Sequence, residues 1–140
     1  MVLNIKSRCT IAAVALFMGC AEAATLRSGA TEIVVAKDAP RTVNFAAKEM
    51  KHFLDGVLSC DVPVVTAPSG TRTPIHLGAG SAGFSVDGLE RDEFRIVVTG
   101  KAVFIAGRDD PKASPERALT RNAWSPNYER ATLFGVYEFL

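Results

Sequence analysis

Apolar residues recur at three- and four-residue intervals along Pro40–Leu58 (PRTVNFAAKEMKHFLDGVL). Val43, Ala46, Ala47, Met50, Phe53, Leu54 and Val57 fall on one helical face. Thr42, Lys48, Lys51, His52 and Asp55 fall on the opposite, wettable side, so the spacing predicts an amphipathic helix about 28 Å long. Asp38 stands where a carboxylate can accept bonds from the first free N–H groups, and Pro40 in the first turn gives up no bond. The other regular segments are short β-runs whose apolar face needs a cover of that size. Thr31–Ala36 (TEIVVA) is a first strand, Asp61–Thr66 a second with Pro63 marking an edge, and Pro74–Leu77 a third. Glu93–Thr99 and Lys101–Ala106 flank Gly100 as an antiparallel hairpin, with Phe94, Ile96 and Val98 sharing a face with Val103 and Ile105. Gly78–Arg91 reads as irregular, with one helical turn around Phe84. A polar segment, Gly107–Glu129, holds Pro111, Pro115 and Pro126. Arg130–Leu140 (RATLFGVYEFL) then reads as a second helix, with Leu133, Val136, Tyr137 and Leu140 on one side.

The beginning of the 140-residue chain has the pattern of an export signal over residues 1–23. Lys6 and Arg8 precede an apolar run, Ile11–Met18, too short to span a bilayer, and Ala21-Glu22-Ala23 offers a cleavage site. A lipid anchor on Cys20 is the alternative. Without Lys6, Arg8 and Glu22, 16 − 2 = 14 basic and 15 − 1 = 14 acidic residues remain, so the part from residue 24 to 140 is formally neutral. Neutrality argues against nucleic acid or an anionic membrane as partner, since both call for a basic excess. Cys9 and Cys20 lie in the signal, which leaves Cys60 alone, read as a small buried hydrophobe with no disulfide.

Gly78–Gly83 (GAGSAG) fits G-x-G-x-x-G after a strand, but Ser85, Asp87 and Gly88 leave no room for the helix a dinucleotide site needs. The acidic doublets Asp92-Glu93 and Asp109-Asp110 flank the hairpin. Neighbouring side chains in extended backbone point apart, so neither doublet makes a glycosidase acid pair. His52 and His76 lack a second ligand at metal spacing, and no serine has a nucleophile-elbow context. Catalytic, cofactor and metal residues are therefore expected to be absent. Trp124 and Tyr128 are the candidate contact residues. They could stack on a sugar ring, anchor the long loop to its own domain, or meet a neighbouring domain.

Ile33–Glu49 (IVVAKDAPRTVNFAAKE), Pro74–Gly78 (PIHLG), the Phe94–Arg108 hairpin and Arg130–Leu140 together resemble a known module. It is the small α/β domain that precedes the catalytic barrel in family 67 α-glucuronidases and family 20 β-N-acetylhexosaminidases. Ala131 stands where that family usually has glycine. The resemblance implies a mixed sheet of about five strands with two helices on one face, a hexosaminidase N-terminal-domain-like α/β sandwich over residues 24–140. It further implies a non-catalytic role in polysaccharide breakdown outside the cytoplasm. The expected partner is a catalytic barrel of the same parent chain, because the sequence stops inside an apolar helix at Leu140. A stand-alone carbohydrate-binding module is the competing expectation. Two faces are expected to meet the barrel: the sheet face carrying Val34, Val97 and Phe104 with Arg95 and Thr99, or the side of the last helix carrying Phe134 and Phe139.

Overall fold

The computed structural model describes residues 2–5 (backbone only), 23–81, 85–115 and 128–140. The elements are β1 (Val2–Ile5), β2 (Thr31–Val35), α1 (Arg41–Leu58), β3 (Val64–Val65), β4 (Thr73–Leu77), β5 (Phe94–Val98), β6 (Val103–Gly107) and α2 (Ala131–Phe139). They form one mixed sheet in the order β1-β5-β6-β4-β2-β3. Strands β3, β2, β4 and β6 run parallel, while β5 is antiparallel to β6 and β1 is antiparallel to β5. Of the segment read as an export signal, Val2–Ile5, on the open side of β5, and Ala23 are described. Residues 6–22, with Cys9 and Cys20, lie outside the described residues, as does Phe84 with its expected helical turn.

The β-branched run of β2 sits in the parallel part of the sheet and is buried at all five positions, as a strand covered on both faces must be. Alternation sends Ile33 and Val35, Ile75 and Leu77, and Val103 and Ile105 toward the helices. There they pack with Val43, Ala46, Ala47, Met50, Leu54 and Val136 in one core. The hairpin register pairs Ile96 with Ile105 and Val98 with Val103, as the alternation predicts. β3 is only two residues long and does lie at a sheet edge, where the Pro63 carbonyl accepts a bond from Ile33 N–H. The α/β arrangement, with both helices on one face, thus holds.

Several positions depart from the pattern. Phe53 and Val57, expected in the core, are 46% and 76% exposed. In the last turns of the 18-residue α1, Leu54 and Leu58 still pack in or against the core, while the side carrying Phe53 and Val57 is left uncovered among the described residues. Thr42, expected to be wet, is fully buried, with α1 packed against both the sheet and α2. Asp38 makes no capping bond to α1, and Pro40 is the N-cap rather than a first-turn residue. Asn44 Nδ2 instead reaches back to the carbonyls of Ala39 and Pro40 at 3.0 and 3.2 Å. At its other end α1 is locked by Lys51, which pairs with Asp55 at 2.9 Å and with Asp61 and donates to the Val62 carbonyl at 3.0 Å. The Asp55 carboxylate, accepting the Val62 N–H and facing Lys51, is held below its ordinary pKa.

The buried side of α2 is Ala131, Thr132, Gly135 and Val136, whereas Tyr137 and Leu140 are exposed. Helix and sheet approach too closely for large side chains. A Cβ on Gly135 would stand 2.7 Å from Ile105 Cγ2, and one on Gly107 would stand 2.4 Å from the Ala131 Cβ. Phe139 packs against the core and Phe134 is half-buried, so the large exposed apolar residues of α2 are Tyr137 and Leu140. The far sheet face is not bare either. Val34 is buried there and Phe104 lies stacked on His76.

Candidate functional site

Strands β2, β4 and β6 all end on one side of the sheet. The chain leaves β2 through α1 to β3 on one flank, and β4 pairs on the other, so the strand order reverses at β2. Crevices of open α/β sheets form at the carboxyl ends of strands around such a point. A crevice of about 310 Å³ opens there, between the Ala36–Pro40 loop, the Gly78–Gly80 turn and Gly107–Asp109, with Glu129 on its rim. Gly78 has φ +81°, and a Cβ on it would lie 2.9 Å from Val43 Cγ1. Glycine is required there so that α1 can cross over the end of β4. Ser81 N–H bonds to the Gly78 carbonyl at 3.1 Å, closing a turn over the first four residues of the glycine motif. Gly83 lies outside the described residues.

Three carboxyl groups line the crevice: Asp38, Asp109 and Glu129. Asp109 accepts the Thr132 N–H at 3.3 Å and the Thr132 hydroxyl, and it is drawn in by a bridge between its own backbone and Arg130. Thr132 Oγ1 in turn accepts Gly107 N–H at 3.0 Å. Burial pushes the Asp109 carboxyl up to about 6, against the two bonds from Thr132, with Glu129 nearby adding to the rise. Glu129 is paired with Arg108 at 3.0 Å. Two of the three acids therefore hold the start of α2 to the sheet, which leaves Asp38 as the unpaired one among the described residues. General acid–base hydrolysis of a glycoside needs two available carboxyl groups; among the described residues Asp38 is the one at this crevice without a partner.

The other sequence candidates disperse. Asp92 is a turn residue with φ +61°, and Glu93 folds back to accept Glu90 N–H at 2.8 Å. Asp110 accepts Lys112 N–H at 2.8 Å in a local turn. His52 is exposed, edge-on to Phe53. His76 alternates outward, as expected, yet it is 6% exposed. Its ring stacks on Phe104 at 4.8 Å and its Nδ1 meets Ser81 Oγ at 2.9 Å. Burial lowers its pKa, opposed by the Glu32 charge. Both partners are shut away from solvent, so the pair fills space in the sheet's far side rather than offering a nucleophile. Cys60 is half-buried beside the core, its sulfur accepting Gly29 N–H at 3.4 Å. Among the described residues no group of three or more His, Cys, Asp or Glu could hold a metal ion, and no helix is long and apolar enough to cross a membrane.

Trp124 lies outside the described residues. One face of the Tyr128 ring is taken by Arg130. The Arg130 guanidinium sits 5.1 Å from its centroid and donates to its hydroxyl at 3.1 Å, and the same guanidinium lies 5.2 Å from the Phe134 ring.

Sequence reading missed two contacts of this framework. The Asp109–Thr132 tie joins residues on either side of a long segment and has no local signal. Glu32, fully buried in the middle of an apolar strand, was visible only as a charge interrupting TEIVV. No protein-family model matches the chain, and comparison with the curated proteins returned no match.

Proposed function

We propose that this chain is a non-catalytic module of an exported glycoside hydrolase, of the α-glucuronidase or hexosaminidase-like kind, and that it supports the catalytic barrel of the same protein in polysaccharide breakdown. The observation that carries the reading is an apolar stripe on the helical layer. Phe53 and Val57 project from the uncovered side of the last turns of α1, and Tyr137 and Leu140 from the adjoining α2, each at least 46% exposed. The two helices are tied side by side by the Tyr137 hydroxyl, which donates to Glu49 at 3.0 Å, one turn before Phe53. Burying a side chain of this size contributes about 1.5–3 kcal/mol, so four together could hold two domains in one orientation. The acids of the crevice support the same reading, because Asp109 and Glu129 are engaged in holding α2. The binding-module alternative has less behind it, since Arg130 already covers one face of the Tyr128 ring. Reading the gene in frame past the codon for Leu140 tests the proposal. A glycoside hydrolase barrel should follow, and the present chain alone should cleave no glycoside; measurable hydrolysis by the chain alone would overturn it.

A further inference from the structure

At the end of the sheet opposite the crevice, three cationic side chains converge from separate parts of the sequence. Arg27 comes from the segment before β2, Arg72 from the turn before β4, and Lys101 from the tip of the β5–β6 hairpin. They line a cleft of about 450 Å³ together with the hydroxyl-bearing Thr25, Thr71 and Thr73, and no carboxylate lines it among the described residues. We propose that this cleft binds a small oxyanion, a carboxylate, sulfate or phosphate group, with the threonines placed for hydroxyl groups carried beside it.

The walls are fixed before any ligand arrives. Arg27 N–H bonds to Thr31 Oγ1 at 3.0 Å, and that hydroxyl returns a bond to the Arg27 carbonyl at 2.9 Å. Thr73 N–H reaches the Ala30 carbonyl at 2.8 Å, and its hydroxyl donates to the Thr25 carbonyl at 3.2 Å. The hairpin tip is closed by Thr99, which accepts from both Lys101 N–H and Ala102 N–H. Arg72 is steered by the Gly29 carbonyl at 3.4 Å and by the buried Glu32, whose Oε2 lies 4.0 Å away with no hydrogen-bond partner. Counting that carboxylate against the three cations still leaves 3 − 1 = 2 positive charges at the cleft, in a domain that is formally neutral as a whole. Arg27 and Lys101 are exposed at the surface. Guanidinium groups bind oxyanions through paired N–H donors and lysine adds a point charge, an arrangement that favours an anion over a neutral sugar.

The test is a backbone-amide NMR titration of the purified protein at about 20 mM ionic strength, where screening is weak. The probes are inorganic phosphate, inorganic sulfate, gluconate and neutral glucitol. Saturable shifts confined to Thr25–Arg27, Gly70–Thr73 and Gly100–Lys101 are expected with the anions and not with glucitol. Gluconate binding tighter than both inorganic ions would assign a polyhydroxy acid; equal binding would assign the bare oxyanion. The double variant Arg27→Gln/Lys101→Gln leaves the Arg72–Glu32 pair in place and should weaken the anion by about tenfold or more. Absence of saturable shifts with all three anions, unchanged affinity in the double variant, or equal binding of glucitol would each overturn the proposal.

Discussion

Gly107 and Ala131 meet where β6 passes beneath the start of α2, and a Cβ at Gly107 would also stand 2.7 Å from the Glu93 carbonyl. Gly107→Ala should therefore cost about 1–3 kcal/mol of stability, the range for overpacking a tight core. Ala131→Gly in the same chain should recover part of that loss, because it removes the nearest of the three obstructing atoms. The coupling energy from denaturant melts of the four variants should exceed about 0.5 kcal/mol. Asp109 sets a pH dependence of defined sign. Its carboxyl holds its proton up to about 6 in the folded chain, against 3.8 when free, so folding favours the protonated form. Its contribution is fully present below 3.8 and is lost as pH rises through 6. By linkage, a rise of about two units corresponds to on the order of 3 kcal/mol. Stability of the natural protein relative to Asp109→Asn should fall by about that amount between pH 3.5 and pH 7, measured by urea melts at each pH.

The two helices show why one was read more fully than the other. Most of α1 was legible because Val43, Ala46, Ala47, Met50 and Leu54 do form its buried face. The side of its last turns carrying Phe53 and Val57 was misread, since periodicity reports which residues could be covered and not whether a neighbour reaches them. In α2 the reading held for Val136 and Leu133, which lie in or against the core, and failed for Tyr137 and Leu140, which are exposed. The helix is held by Ala131, Thr132 and Gly135, small residues that carry almost no hydrophobic signal and are selected by close approach. Gly135→Ala weighs these effects against each other. Alanine gains about 1 kcal/mol of helix propensity, whereas its methyl group would press into Ile105 Cγ2 and the Phe94 ring. The clash should win, lowering stability by about 1–2 kcal/mol net in a denaturant melt; a more stable variant would show that α2 can lift away from the sheet.

Across the whole molecule, strand alternation carried the sheet: β2, β4, β5 and β6 lie within a residue or two of their expected bounds. The ends of the sheet were not legible, because each gathers residues distant in sequence. The crevice joins the loops after three strands, and the cationic cleft joins positions 27, 72 and 101. The apolar stripe of Phe53, Val57, Tyr137 and Leu140 emerged the same way, from one helix outreaching another. Its assignment as the seat of a catalytic barrel is open to direct measurement. A photo-crosslinking amino acid in place of Val57 in the complete gene product, followed by mass spectrometry of the linked peptides, reports what lies against α1. The account predicts crosslinks to peptides of a barrel in the same chain; a labelled Val57 position that stays unlinked in the folded, intact protein would contradict it.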